Sequence, residues 1–276
     1  MEIAIRRGIM QDEVLGESQK KGVKKRGVYI LPNLVTSASL FGGFYSIIAS
    51  IDGHYEAAAI AILISGILDG LDGRIARITG TTSKFGMEYD SLSDLVAFGL
   101  APGILIFMWA LKPFGKYGWL AAFIYVVCGA LRLARFNVQI STVESRRFNG
   151  LPIPAAAALV AATVLLFHSL GQGGTTKHVV ILVLVYLLGF FMVSNIKYYS
   201  FKDIGLARRM PFRFLVALIL LFILIAAEPY IMIFVLAFGY ALSGPVLTLV
   251  DMLRGAPVST PHGADKPQKK EERHLV

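Results

Sequence analysis

Long apolar stretches alternate with short polar ones along most of the chain. Each stretch approaches the ~20 residues that a helix needs to cross the hydrocarbon core of a bilayer. The pattern predicts eight membrane-spanning helices, over residues 34–51, 55–78, 84–110, 117–136, 152–170, 179–196, 212–227 and 230–250. Hydrophobic residues make up 55% of the chain, which is high for a soluble domain. The sequence therefore indicates an all-α, polytopic integral membrane protein.

The predicted helices divide into a core and an additional pair, with polar segments at both ends. We expect a transmembrane core over residues 31–203 and a C-terminal helix pair over residues 204–255. Residues 1–30 form a basic segment beside the membrane, of which residues 1–28 are either a helix on the membrane surface or a solvated arm. Residues 256–276 have the polar composition of a disordered tail. The expected fold is thus a six-helix core with two further transmembrane helices.

Basic residues concentrate on one predicted side of the membrane. If the N-terminus is cytosolic, 24 of the 27 lysines and arginines fall in the cytosolic loops and ends. This bias predicts that both termini are cytosolic, in a multi-pass protein of the cytoplasmic (inner) membrane. The same bias, together with contact to anionic membrane lipids, explains the net charge of +9, so we expect no nucleic-acid partner.

Four aspartates interrupt the apolar pattern around the loop between the second and third predicted helices. Asp69 and Asp72 are three residues apart in the sequence, which puts them on one helix face. Asp90 and Asp94 are four residues apart and share a face of the next helix, for which Ser83 is a candidate N-cap. At ~1.5 Å per residue, Asp69 lies about 14 Å before one helix ends and Asp90 about 10 Å after the next begins. The two pairs should therefore face each other at similar depth across a helical hairpin.

These carboxylates need a compensating charge inside a membrane. An isolated ionised carboxylate costs roughly 2.5–3.5 kcal/mol to insert, and four of them also repel one another. Carboxylate oxygens are the ligands that Mg²⁺, Mn²⁺ and Ca²⁺ prefer, so the pattern favours a site for multivalent cations. The alternatives are a water-filled cavity or pairing with arginines. Small residues near the aspartates would let another helix or a bulky ligand approach the backbone; they are Gly66, Gly70, Gly73 and Gly86.

Eight residues of this stretch form a pattern with fixed gaps over 26 residues. They are Asp69, Asp72, Gly73, Ala76, Arg77, Gly86, Asp90 and Asp94. The pattern resembles the signature of the CDP-alcohol phosphatidyltransferase family at every fixed position and spacing. The wider resemblance to this family covers roughly residues 28–203.

The resemblance implies two divalent metal ions, Mg²⁺ or Mn²⁺ with Ca²⁺ also able to bind, which contact the diphosphate of a CDP-linked lipid. The metal ligands that it implies are Asp69, Asp72, Asp90 and Asp94. It further implies that Asp94 is the general base of the reaction. The residues implied in contact with the nucleotide or the CDP-lipid are Gly73, Arg77, Gly86 and Asp69. Family members are usually homodimers, so a homodimer is expected here as well.

The signature does not identify the acceptor alcohol, but three other segments bear on it. RLARFN (132–137), FNGLPIPAAAA (148–158) and MVSNIKYYSFK (192–202) resemble segments of the bacterial-type branch of the family that uses L-serine. That resemblance implies transfer of the phosphatidyl group from CDP-diacylglycerol to L-serine, with release of CMP. Serine needs a cation for its carboxylate and an acceptor for its ammonium group. The candidate residues for serine or for the lipid phosphate are Arg135, Arg132, Lys197 and Asn137, with Arg135 first.

Other functions stay open on the sequence alone. The acceptor could instead be glycerol 3-phosphate, an inositol phosphate or choline, or the lipid could be an archaeal ether lipid. From another class of protein, a cation transporter could use the four carboxylates as its ion path. Against the transporter, the aspartates cluster near one face of the membrane rather than at its midplane. We expect the last two helices to add packing or an oligomer surface.

Overall fold

The structure is a computed structural model in which described residues run over 31–80, 83–139, 147–171, 177–199 and 212–253. The expectations for the N-terminal segment (1–30) and the C-terminal tail (256–276) concern residues outside these ranges. The same holds for residues 200–211, which include the junction between the expected core and the C-terminal pair.

A helix lies at each position where an apolar stretch predicts one. In chain order the helices are α1 (Leu31–Ile51), α2 (Tyr55–Thr79), α3 (Lys84–Phe114), α4 (Lys116–Gln139), α5 (Ile153–Ser169), α6 (Val179–Val193), α7 (Phe212–Ala227) and α8 (Pro229–Leu253). The prediction of a helical bundle is thereby confirmed over the described ranges.

Four of these helices, α1, α3, α4 and α8, are long and apolar enough to cross a membrane. Helices α5 and α6 are apolar but shorter, with 17 and 15 residues. Helix α2 has 25 residues, but its second half carries charged side chains, including the first aspartate pair. The number of spans, six in a core and two beyond it, therefore stays a prediction.

Helix α3 is irregular directly after the second aspartate pair. Its first segment, Lys84–Asp94, is α-helical, and the side chain of Ser83 accepts a hydrogen bond from the Gly86 N–H at 3.0 Å, as expected for an N-cap. A π-helical segment follows over Leu95–Leu100, just before Pro102. Proline has no backbone N–H, so the regular series of α-helical hydrogen bonds is interrupted near this residue. The wider turn thus begins at the residue after Asp94.

Two short strands, which the apolar pattern does not predict, pair beside the end of α6. Strands β1 (Arg147–Asn149) and β2 (Lys197–Tyr199) are antiparallel. The predicted C-terminal end of the sixth helix was wrong, because α6 ends at Val193 and not at residue 196. Backbone N–H groups of the 150–151 turn bond the Phe191 and Ile196 carbonyls, which replaces a further helical turn.

The core lies mainly on α3 and α5, with contributions from the helices around them. Helix α1 lies close to α3 at Gly43, where an added Cβ would lie 2.6 Å from the Ala97 Cα. Helices α4 and α6 pack together, and α8 packs along α5. This packing places the start of α1, the end of α2 and the start of α3 at one end of the bundle, here called the aspartate end.

Candidate active site

Three of the four aspartates meet at the aspartate end. Asp69, Asp72 and Asp90 each offer a carboxylate oxygen, and these oxygens all lie within 4.8 Å of one another. Asp72 is 5% exposed, and the other two are half-buried. The prediction that the two helix faces meet across the hairpin is therefore confirmed for these residues.

The fourth aspartate adjoins the same cluster from one turn further along α3. The Asp94 carboxyl lies close to that of Asp69. Neighbouring carboxylates repel each other unless a proton or a cation compensates their charge. The structure thus brings together all four aspartates that the spacing singles out.

The donor set fits a hard divalent cation. The three carboxylate oxygens lie within 4.8 Å of one another, which is close enough for them to share one cation. All the donors are oxygens, as Mg²⁺, Mn²⁺ and Ca²⁺ prefer. The residues present can therefore hold the metal that the family resemblance implies.

Helix α1 contributes a residue that the sequence analysis missed. The Thr36 hydroxyl lies 2.8 Å from Asp72 Oδ2, to which it donates, and 3.1 Å from the Pro32 carbonyl. The Thr36 carbonyl accepts from the Ser93 hydroxyl at 3.2 Å. Thr36 therefore ties α1 to both aspartate-bearing helices and orients one carboxylate of the cluster.

A pocket opens beside the cluster between the same three helices. Its lining residues are Pro32, Asn33, Thr36, Asp72, Gly73, Ala76, Ser83, Gly86, Met87 and Asp90. A Cβ added to Gly73 would meet no atom within 4 Å, so packing within the described residues does not require glycine there. The small residue instead leaves open space next to the carboxylates. Asn33, at the entry to α1, also borders this space.

Arg77 follows Gly73 by one turn of α2. Its Nε donates to the Gly73 carbonyl at 2.9 Å, and the side chain is exposed. The hydrogen bond turns the guanidinium back along the helix toward Gly73, which lines the pocket. A planar group with several donors in this place is suited to oxygen atoms of a phosphate.

The candidates for the acceptor side occupy different surroundings. The Arg135 guanidinium donates to Asn195 Oδ1 at 2.8 Å, which links α4 to the segment after α6. The Asn137 amide donates to the Ser91 hydroxyl at 3.0 Å, beside Asp90. Both side chains thus connect elements around the site.

The remaining two candidates are Arg132 and Lys197. Arg132 lies close enough to Asp94 for their charges to interact. Its Nε atom is buried and has no hydrogen-bond partner among the described residues. Lys197 lies in β2, where its backbone is paired with Asn149.

Comparison with known proteins relates this chain to a family. The family model for CDP-alcohol phosphatidyltransferase matches residues 29–193. A CDP-diacylglycerol–serine O-phosphatidyltransferase of Helicobacter pylori (strain ATCC 700392 / 26695) is 46% identical over 180 residues, 64% of this chain and 75% of the relative. One of Mycobacterium leprae (strain TN) is 31% identical over 228 residues, 81% of this chain and 76% of the relative. An archaetidylserine synthase of Methanothermobacter thermautotrophicus is 38% identical over 177 residues, 63% of this chain and 72% of the relative.

The matched family consists of transferases that in general depend on a divalent metal, and the apolar helices make this member an integral membrane protein. The transporter alternative is therefore set aside. The match covers more than half of the chain and includes every residue of the aspartate signature. The chain belongs to the CDP-alcohol phosphatidyltransferase family.

Proposed function

We propose that this protein transfers the phosphatidyl group of CDP-diacylglycerol to the hydroxyl of L-serine, which yields phosphatidylserine and CMP. The observation that carries the proposal is the meeting of Asp69, Asp72 and Asp90 beside a pocket that Gly73 leaves open. Such a site can accept a diphosphate on the carboxylate side and a nucleotide in the adjoining space.

The chemical step forms one phosphorus–oxygen bond and breaks another. The serine hydroxyl oxygen attacks the phosphorus that carries the diacylglycerol. The bond from that phosphorus to the bridging oxygen breaks, and CMP leaves with this oxygen. Asp94 takes the hydroxyl proton, since it is the aspartate outside the three-carboxylate group and can act as a base at the edge of the cluster.

The four aspartates would hold two divalent cations, Mg²⁺ or Mn²⁺ with Ca²⁺ also able to bind, which would neutralise the diphosphate and stabilise the CMP leaving group. Thr36 keeps the Asp72 carboxylate in one orientation through the 2.8 Å hydrogen bond. Gly73 and Gly86 leave room for the nucleotide, and Arg77 donates to a phosphate oxygen.

Serine is favoured as the acceptor by the relatives at 46% and 31% identity, whose names specify it. The archaetidylserine synthase at 38% identity also supports serine, and it makes an ether lipid the second candidate for the donor. These three relatives thus favour serine over glycerol 3-phosphate, an inositol phosphate or choline.

Topology and assembly belong to the same proposal. Eight spans, with both termini cytosolic and the aspartate end facing the cytosol of a cytoplasmic membrane, would let a lipid tail stay in the bilayer while serine and CMP exchange with water. The bias of the basic residues supports this orientation. A homodimer is proposed from the family resemblance.

The function is tested by CMP release from CDP-diacylglycerol by the purified protein, with and without serine. We expect serine-dependent release by the wild type and a loss of about 100-fold or more in turnover for Asp94→Asn, because asparagine keeps the shape but cannot take a proton. The matched control is Asp52→Asn, since Asp52 lies between α1 and α2 and outside the aspartate cluster.

Two measurements accompany the rates. CDP-diacylglycerol affinity and bound metal should change much less than turnover in the Asp94→Asn protein. Turnover within a few-fold of wild type would refute the assignment of Asp94 as the base, and no serine-dependent CMP release by the wild type would refute the function.

A further inference from the structure

The π-helical segment of α3, Leu95–Leu100, begins directly after Asp94 and changes the pairing of the helix backbone. The Ala101 N–H bonds the Val96 carbonyl, five residues back instead of the four of an α-helix. Such a segment accommodates an extra residue, so the helix faces before and after it are rotated by about 100° relative to those of a regular helix. The segment therefore sets the direction of Asp94 relative to the part of α3 that follows.

A tyrosine on α4 supplies a donor in place of one that a proline removes from α3. In a regular α-helix the Phe98 carbonyl would accept from the N–H of residue 102, but Pro102 has none. The Tyr125 hydroxyl donates to the Phe98 carbonyl at 3.1 Å. Tyr125 and Phe98 are both buried, so water is a poor substitute for the hydroxyl. Because a buried carbonyl without a donor is unfavourable, this hydrogen bond stabilises the π-helical segment.

Helices α1 and α2 pack against the same segment. An added Cβ at Gly43 of α1 would lie 2.6 Å from the Ala97 Cα, and one at Gly66 of α2 would lie 3.8 Å from the Phe98 Cε1. Gly66 precedes Asp69 by about one helical turn. The segment thus lies where the helices that carry the aspartates meet α1.

We propose that Tyr125 is a positioning residue, which holds the π-helical segment through the Phe98 carbonyl and so keeps the Asp94 carboxyl directed at the hydroxyl of the acceptor. This inference rests on the proposed function, in which Asp94 takes the proton of that hydroxyl. Asp94 adjoins the segment, whereas Asp90 lies one turn further away and the other two aspartates are on α2. Loss of the Tyr125 hydroxyl should therefore affect proton transfer more than binding of the metal or of CDP-diacylglycerol.

The far end of α3 supplies a matched control. A second π-helical segment covers Phe107–Leu111, and the Tyr55 hydroxyl of α2 donates to the Met108 carbonyl at 3.4 Å. Met108 lies about 21 Å along the helix from Asp94, at ~1.5 Å per residue. Tyr55→Phe and Tyr125→Phe each remove a hydroxyl from a carbonyl of α3, but only the second removes it near Asp94.

The test measures serine-dependent CMP release by the purified full-length protein, together with the amount of CDP-diacylglycerol bound per mole of protein. We expect Tyr125→Phe to lower turnover about tenfold and to leave both Michaelis constants and the amount bound within about twofold of wild type. Full binding would show that the lower rate does not come from a smaller folded fraction. Tyr55→Phe should leave all of these quantities, turnover included, within about twofold of wild type.

A double-mutant cycle with Asp94→Asn tests whether Tyr125 acts through Asp94. If it does, adding Tyr125→Phe to Asp94→Asn lowers the residual turnover by less than about twofold. Independent, multiplying effects would overturn the proposal. So would wild-type turnover for Tyr125→Phe, an equal loss for Tyr55→Phe, or a reduced amount of bound CDP-diacylglycerol, which would make the Tyr125 hydroxyl a purely structural group.

Failure of the proposed function would be seen in other proteins of the same set. If the wild type releases no CMP with serine, the serine assignment falls, and the cycle is run with whichever alcohol supports CMP release. If Asp94→Asn alone keeps the turnover of the wild type, the assignment of the base falls, and the role of Tyr125 falls with it.

Discussion

Asp94 differs from the other three aspartates in its neighbours. It lies beside Asp69 at the edge of the three-carboxylate group, and its charge interacts with that of Arg132. The spacing of the aspartates was enough to predict that they meet, because a helical period fixes which side chains share a face. The spacing alone could not predict that Asp94 lies outside the group formed by the other three carboxylates, since that depends on how the two helices pack.

Substitution of Gly73 tests whether this glycine is needed for substrate binding or for helix packing. We expect Gly73→Ala to raise the Michaelis constant for CDP-diacylglycerol about tenfold or more, because the added methyl fills the open space of the pocket. The melting temperature should be unchanged or higher, since alanine is the better helix former by about 1 kcal/mol.

The matched control is Gly43→Ala, at the close contact of α1 with Ala97. It should lower the melting temperature, because the new Cβ would overlap the backbone of α3. Unaltered kinetics for Gly73→Ala would contradict the assignment of the pocket to the nucleotide.

At the scale of the elements, the positions of the helices follow from the sequence because long apolar runs between polar residues carry a strong signal. The two strands do not, since three residues are too few for a periodic pattern. The end of α6 was predicted too late in the chain, because the hydrogen bonds that replace the last helical turn come from the distant turn at residues 150–151. Contacts between distant elements decide these features.

The hydrogen bond between Thr36 of α1 and Asp72 of α2 could not be predicted from the sequence either, because the two residues are 36 positions apart. We expect Thr36→Val, which keeps the shape but removes the hydroxyl, to raise the Mn²⁺ concentration for half-maximal activity about 10- to 100-fold. Titration of activity with Mn²⁺ in the purified protein measures this shift.

Two variants control for the loss of a buried hydroxyl. Thr36→Ser should retain most of the metal affinity, since it keeps the donor. Thr163→Val should not change the metal dependence, because the Thr163 hydroxyl bonds the Leu159 carbonyl within α5. An unchanged Mn²⁺ titration for Thr36→Val would show that Thr36 does not orient Asp72.

At the scale of the whole molecule, a group of polar side chains lies at each end of the bundle. The aspartate end holds the four carboxylates and the pocket. At the far end, Glu56 joins His168 and Tyr230, so that α2, α5 and α8 are tied together away from the pocket. This division explains how α8, outside the matched family region, can be part of one compact bundle with the reaction site.

The central claim is metal-dependent transfer of a phosphatidyl group to serine at the aspartate end. The most direct test follows CMP and lipid product together in one reaction of the purified protein, with serine, glycerol 3-phosphate, an inositol phosphate or choline as the acceptor. We expect phosphatidylserine and CMP in equal amounts with serine alone, loss of both on exhaustive chelation, and recovery on adding Mg²⁺ or Mn²⁺. Undiminished transfer after chelation, or a preference for another acceptor, would contradict the account.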